Sequence, residues 1–299
     1  MPFHPQFLAL ADSESSRRFA VLHWPAEPRV PLGLVVHAPA FGEEMNKSRR
    51  MVALQSRALA EDGLAVLVID PLGCGDSPGD FGDASWDAWV QDITDALAWM
   101  RREFARRHPV CNEPPRVLWG LRAGALLAAA AAERTPGPCA LLLWQPSTAG
   151  RTVLQQFLRL LSAADLMTGK TQGAAAAAKA ELAAGRVQEV AGYRLSPRLA
   201  FGLETASLKP AASPSDLWAI ELSTRTGATP SPALLDALRR WQRAGWQTHA
   251  EVVNGPAFWQ TTELEDAPEL LAATRAAMRR LCSATDAAAA ADARLGCSA

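Results

Sequence analysis

The pentapeptide Gly120-Leu121-Arg122-Ala123-Gly124 follows an apolar, strand-like run and opens a helical one. This is the spacing of a sharp strand-to-helix turn, G-x-S-x-G, in which small flanking residues lift a central serine to a helix N-terminus. There the serine attacks a carbonyl and the next backbone N–H stabilises the oxyanion. The central residue here is Arg122, whose guanidinium keeps its proton and has no lone pair to attack with, so nucleophilic chemistry at the turn is excluded. A guanidinium at a helix N-terminus instead offers a cationic fork to a carboxylate or phosphate.

Two further strings bear on the same chemistry. His37-Ala38-Pro39-Ala40-Phe41-Gly42 directly follows the third apolar run and has the form of a loop that gives a backbone N–H to an oxyanion hole. Pro39 has no N–H, so Ala40 or Phe41 is the donor, with Ala123 N–H as the second; the plainer reading is a turn whose His37 is held by backbone hydrogen bonds. Asp70-Pro71-Leu72-Gly73-Cys74-Gly75-Asp76-Ser77 is a glycine-rich loop of the form D-x-x-G-x-G-x-S, whose glycines shape the site. Cys74 has no base nearby in sequence and reads as an inert thiol.

A serine mechanism also needs an acid and a histidine after the nucleophile. The single histidine beyond Arg122 is His249, inside the last strand-like run, while the loop that follows reads Asn254-Gly255-Pro256-Ala257-Phe258-Trp259. The loop Ser223-Thr224-Arg225-Thr226 holds no carboxylate, although Glu221 stands just before it. Charge takes their place: Glu43 or Glu44, on the loop after Phe41, can reach the elbow. An Arg122–Glu44 pair would neutralise two groups that are costly alone in a partly dehydrated cleft. Alternatively Arg122 binds an anion and Glu44 acts as general base on water. The candidate site is therefore Arg122 and Glu44 for chemistry, with His37, Ala40, Phe41, Glu43 and Ala123 for ligand binding.

The elements that must position these residues alternate. Strands are expected around 6–10, 18–24, 32–36, 64–69, 116–119 and 140–144, with helices at 48–62, 85–106 and 122–133 between the later ones. Continuous apolar strands joined by helices point to an α/β fold, a mostly parallel eight-stranded sheet flanked by helices. The alternation breaks after Gln145, where an amphipathic stretch (Val153, Leu154, Phe157, Leu158, Leu161), an Ala-rich helix at 173–184 and a β-like piece at 187–195 read as a helical cap, 151–212. Core elements resume at 217–222, 232–244, 247–253 and 268–282. The core is then 1–150 with 213–283, and 284–299 reads as a disordered tail.

Composition narrows the function classes. The formal net charge is −1, with 30 Lys and Arg against 31 Asp and Glu, scattered rather than striped, so no nucleic-acid partner is expected. Met1 to Ser13 lacks a signal-peptide pattern, and the longest apolar run, Ala123 to Ala132, is roughly half a membrane span, so a cytoplasmic protein without a membrane span is expected. Cys74, Cys111, Cys139, Cys282 and Cys297 are odd in number and lack a C-x-x-C pair, against both a disulfide framework and zinc; no metal or cofactor is expected.

Taken together, His37 to Arg50, Asp70 to Phe81, Gly120 to Gly124, Trp144-Gln145-Pro146, Ala191-Gly192-Tyr193 and Gly255 to Thr261 resemble one bacterial family, the exosortase A system-associated hydrolase 2 proteins. The resemblance covers most of the chain and implies an α/β-hydrolase fold and a place in exosortase, PEP-CTERM or exopolysaccharide systems. It carries no serine triad onto this chain. The expectation is a protein acting on or binding an acyl or anionic small molecule; the rival is a catalytically inactive pseudo-hydrolase serving as a binding or scaffold protein, its protein partner unknown.

Overall fold

The computed structural model describes residues 3–10, 17–168 and 173–295. Its main sheet has eight strands: β1 (Phe3–Ala9), β2 (Arg17–His23), β3 (Leu34–Ala38), β4 (Ala65–Ile69), β5 (Arg116–Leu121), β6 (Ala140–Trp144), β9 (Asp216–Ser223) and β10 (Gln247–Asn254). Their order is β1-β2-β4-β3-β5-β6-β9-β10. Strand β2 runs antiparallel to both its neighbours, β1 and β4; from β4 to β10 every pairing is parallel.

Helices cover both faces, as the fully buried strands β3 and β6 require. On one face lie α1 (Glu43–Glu61) and α8 (Pro268–Leu295), packed on Val35, Val66, Trp119 and Trp144. On the other, α2 (Trp86–Arg107), α3 (Gly124–Arg134) and α7 (Pro232–Arg243) share a core with Leu34, Leu67, Leu118 and Leu143. The split follows strand alternation, since neighbouring residues of one strand point to opposite faces.

Between β6 and β9 stand α4 (Gly150–Thr168), α5 (Ala174–Ala183), the hairpin β7 (Gln188–Val190) with β8 (Tyr193–Leu195), and α6 (Pro197–Thr205). Helix α6 is absent from the sequence expectation. Its start signal is nevertheless present: Ser196 Oγ accepts from Leu199 N at 3.1 Å, and a proline follows in the first turn.

Three boundaries differ from expectation for physical reasons. Strand β3 continues through His37 and Ala38, so His37 lies within the sheet rather than in the loop after it. Helix α1 begins at Glu43, five residues before Ser48, because two acidic residues in its first turn complement the helix dipole. Helix α8 runs on to Leu295, where the sequence reading places a disordered tail; the alanines that deny that segment a core are also the strongest helix formers. Residues 296–299 lie outside the described residues. No helix among the described residues is long and apolar enough to cross a membrane.

Candidate functional site at the elbow

The turn after β5 has the strained geometry of a nucleophile elbow. Arg122 adopts φ 56°, a left-handed conformation uncommon for a side chain of this size. Its backbone is pinned on both sides: Arg122 N donates to Trp144 O at 3.0 Å, and Arg122 O accepts from Ala125 N and Ser147 N, each at 3.1 Å. The flanking glycines are sterically required. A Cβ on Gly124 would sit 2.1 Å from Ala38 O, and one on Gly120 2.6 Å from Ala125 Cα. The loop after β3 therefore presses directly against the start of α3.

The Arg122 side chain turns to Glu44. Nε lies 3.3 and 3.4 Å from the two carboxylate oxygens, and Nη2 lies 3.2 Å from Oε1. These bonds are longer than the roughly 2.7–2.9 Å of a tight charge-assisted pair. Both side chains are mostly buried, at 15% and 23% exposure. The guanidinium carbon also lies 5.4 Å from the centre of the Trp259 ring, a cation–π contact. Trp259, itself buried, stands in the loop that should carry a catalytic imidazole.

Glu43 points elsewhere. It accepts from Tyr193 Oη at 2.9 Å and from Asn46 Nδ2 at 3.2 Å, fastening the β7–β8 hairpin to α1. Burial, and then Glu43, push the Tyr193 hydroxyl above its ordinary pKa, so it stays a donor. Phe41 supports the same joint, meeting Phe81, Trp89 and Phe157 at 5.0–5.8 Å between ring centres. Between α1 and the segment of α4 and β8 a cleft of about 660 Å³ opens, with Phe41, Glu43, Glu44 and Lys47 on one side and Val153, Phe157, Leu160 and Tyr193 on the other. Trp259 lines it as well.

Other expectations are corrected. His37 does not face this cleft: it is buried at 2% exposure against Trp119, and burial lowers its pKa to about 3. Ala40 lines a second cavity rather than the cleft, and Ala123 is buried beneath the elbow. Glu221 is no triad acid, because its oxygens accept from Ser231 N and Ser231 Oγ, both at 2.6 Å, at the start of α7. His249 is exposed and stacks on Trp218 at 4.4 Å. It lies five residues before Asn254, about 16 Å back along β10 from the edge that carries the elbow. Burial raises the Cys74 thiol to about 12, which removes it as a nucleophile at neutral pH. Cys297 lies outside the described residues. Trp259 and Tyr193, which the sequence reading did not place in the site, are the two aromatic walls it lacked.

Sequence comparison agrees with the strand order and the elbow: residues 29–194, more than half of the chain, match the family described as serine aminopeptidase, S33. The chain belongs to that family. Among curated protein sequences none matches it. Solved structures share its α/β-hydrolase fold at low identity. Est1E from Butyrivibrio proteoclasticus with ferulic acid bound is 17% identical, with 89% of this chain and 96% of that one covered and a TM-score of 0.57. A thermostable carboxyl esterase from Bacillus coagulans in complex with glycerol is 14% identical, covers 94% and 99%, and scores 0.56. XC6422 from Xanthomonas campestris, described as an a/b serine hydrolase without lid, is 17% identical, covers 94% and 96%, and scores 0.53. The S33 name speaks of a serine; at the elbow of this member the residue is Arg122.

Proposed function

We propose that this S33-family chain binds an anionic acyl molecule in the cleft between cap and core, without forming an acyl-enzyme. The observation that carries the reading is Arg122 at the elbow, at φ 56°, facing Glu44 and Trp259 rather than a histidine. The cleft falls within the usual size of a small-molecule site and offers apolar wall on both sides, from Phe41 and Trp259 to Val153, Phe157 and Leu160. An acyl chain fits that wall, and a carboxylate or phosphate head fits the guanidinium, which does not itself line the cleft but stands against its lining residues Glu44 and Trp259 and whose Nη1 takes no part in the Glu44 pair. Lys47 at the rim adds positive charge.

Glu44 competes with such a head group, so binding is weaker than Arg122 alone would give. Because Glu44 also lines the cleft, it is placed to take a proton from a water beside the bound head, and slow hydrolysis by general base catalysis belongs to the same site. The resemblance of its motifs to the exosortase-associated hydrolases supports a cytoplasmic role in exosortase or exopolysaccharide production. A second reading, a silent scaffold, is favoured by the engagement of both Glu44 oxygens by Arg122. Mass spectrometry of what co-purifies with the wild type and with Arg122→Met separates them. An acyl anion carried by the wild type and missing from the variant supports binding; the same content in both overturns it.

A further inference from the structure

A second cavity, of about 170 Å³, lies on the opposite flank of α1 and shares no lining residue with the cleft. Val21, Val68 and His37 stand side by side across β2, β4 and β3 and form its floor. Met45, Val52 and Ala53 of α1 close it from above, and exposed Arg49 with partly exposed Ala53 and Val68 marks its mouth. An apolar cavity of about 150 Å³ holds one benzene-sized ring.

Its ionic groups are already matched: Arg49 Nη2 meets Asp70 Oδ2 at 3.1 Å, so the cavity offers no net charge to an ion. Deep in the wall, His37 Nδ1 is buried and has no hydrogen-bond partner among the described residues. Burial keeps the ring neutral, and a hydrogen bond to the Trp119 backbone takes up its other nitrogen, which leaves Nδ1 as an acceptor. His37 is part of the cavity wall, so its unpartnered nitrogen is the acceptor available there.

We propose that this cavity is a binding site for an uncharged single-ring molecule with one hydrogen-bond donor, of the phenol class. The ring lies between α1 and the sheet, and its hydroxyl donates to His37 Nδ1. The site is independent of the reading of the cleft and stands or falls separately from it.

Calorimetric titration of the full chain with phenol and with anisole, the same ring without a donor, tests it. Phenol should bind about fivefold more tightly than anisole, the worth of one neutral hydrogen bond. His37→Leu should erase that difference, and Ala53→Phe, which fills the cavity from α1, should abolish binding of both. Phenol and anisole binding alike to the wild type, no binding of phenol, or phenol affinity that survives Ala53→Phe would each overturn the proposal. The phenol–anisole contrast needs no variant and holds even if a substitution fails to fold.

Discussion

Replacing Glu44 by Gln separates the two roles assigned to the elbow pair, because stability and ligand affinity should move in opposite directions. An exposed ion pair contributes about 0–1 kcal/mol, and breaking a buried one costs about 3–5 kcal/mol. Here the side chains are 15% and 23% exposed and the contacts are long, 3.2–3.4 Å, which places the pair between those limits. Glutamine still accepts a hydrogen bond but gives up the charge and its interaction with the α1 dipole, so a loss of about 1.5 kcal/mol is expected. For a chain of this size that lowers Tm by about 3 °C. The same change removes a negative charge about 6 Å from a head group on Arg122, worth about 1–2 kcal/mol after screening, or roughly tenfold tighter binding. Urea unfolding and calorimetric titration with dodecanoate measure the two effects. If Glu44→Gln weakens dodecanoate binding, or leaves both quantities unchanged, the paired-elbow argument fails.

Gly124→Ala would gain helix propensity, yet its methyl would meet Ala38 O at 2.1 Å. The clash decides the sign, and a loss of about 3 kcal/mol is expected in urea melts; a neutral or stabilised variant would mean that the elbow is looser than described. Arg122→Ser restores a hydroxyl at the elbow but no histidine to activate it, since Trp259 stands in the histidine loop and His249 is far off, and it removes the guanidinium that seats an anion beside Glu44. Hydrolysis of p-nitrophenyl butyrate should not rise above the slow wild-type rate, and a burst followed by faster turnover would reveal a serine mechanism with a base other than Glu44. Burial lowers His37 to about 3 and His23 to about 4, below the ordinary 6.5. The unfolded chain therefore binds protons that the folded chain does not, so the stability from these groups is complete above pH 6.5 and is lost progressively as pH falls toward those values. His37→Leu should flatten the dependence by about 1.4 kcal/mol per pH unit between pH 5.5 and 4.5; an unchanged slope would show that His37 is protonated in the folded state.

The elbow was legible because its chemistry is steric: only glycine fits at Gly120 and Gly124, and an arginine between them stands out against that constraint. The sheet was legible for a similar reason, since strands covered on both faces, such as Leu141-Leu142-Leu143, must be continuously apolar. The partner of Arg122 was not. Sequence left Glu43 and Glu44 open, and helix phase decides between them: adjacent residues point about 100° apart, so one turns to the elbow and the other to Tyr193. The early start of α1 hid this phase, because its first turn holds acidic residues rather than an apolar repeat. His37 was misplaced by one strand boundary, which moved it from the oxyanion loop into the core. Trp259 and Tyr193 gave no local signal, since what makes them walls of the cleft is a meeting of segments distant in sequence.

An elbow that seats an anion, where its family name implies a serine, should discriminate by charge. Titrating the wild type and Arg122→Met with dodecanoate and with dodecanol tests this most directly. The wild type should prefer dodecanoate, and Arg122→Met should lose this preference while still binding dodecanol. Equal affinity of the wild type for the two, or a preference that survives the substitution, would contradict an anion seat at Arg122.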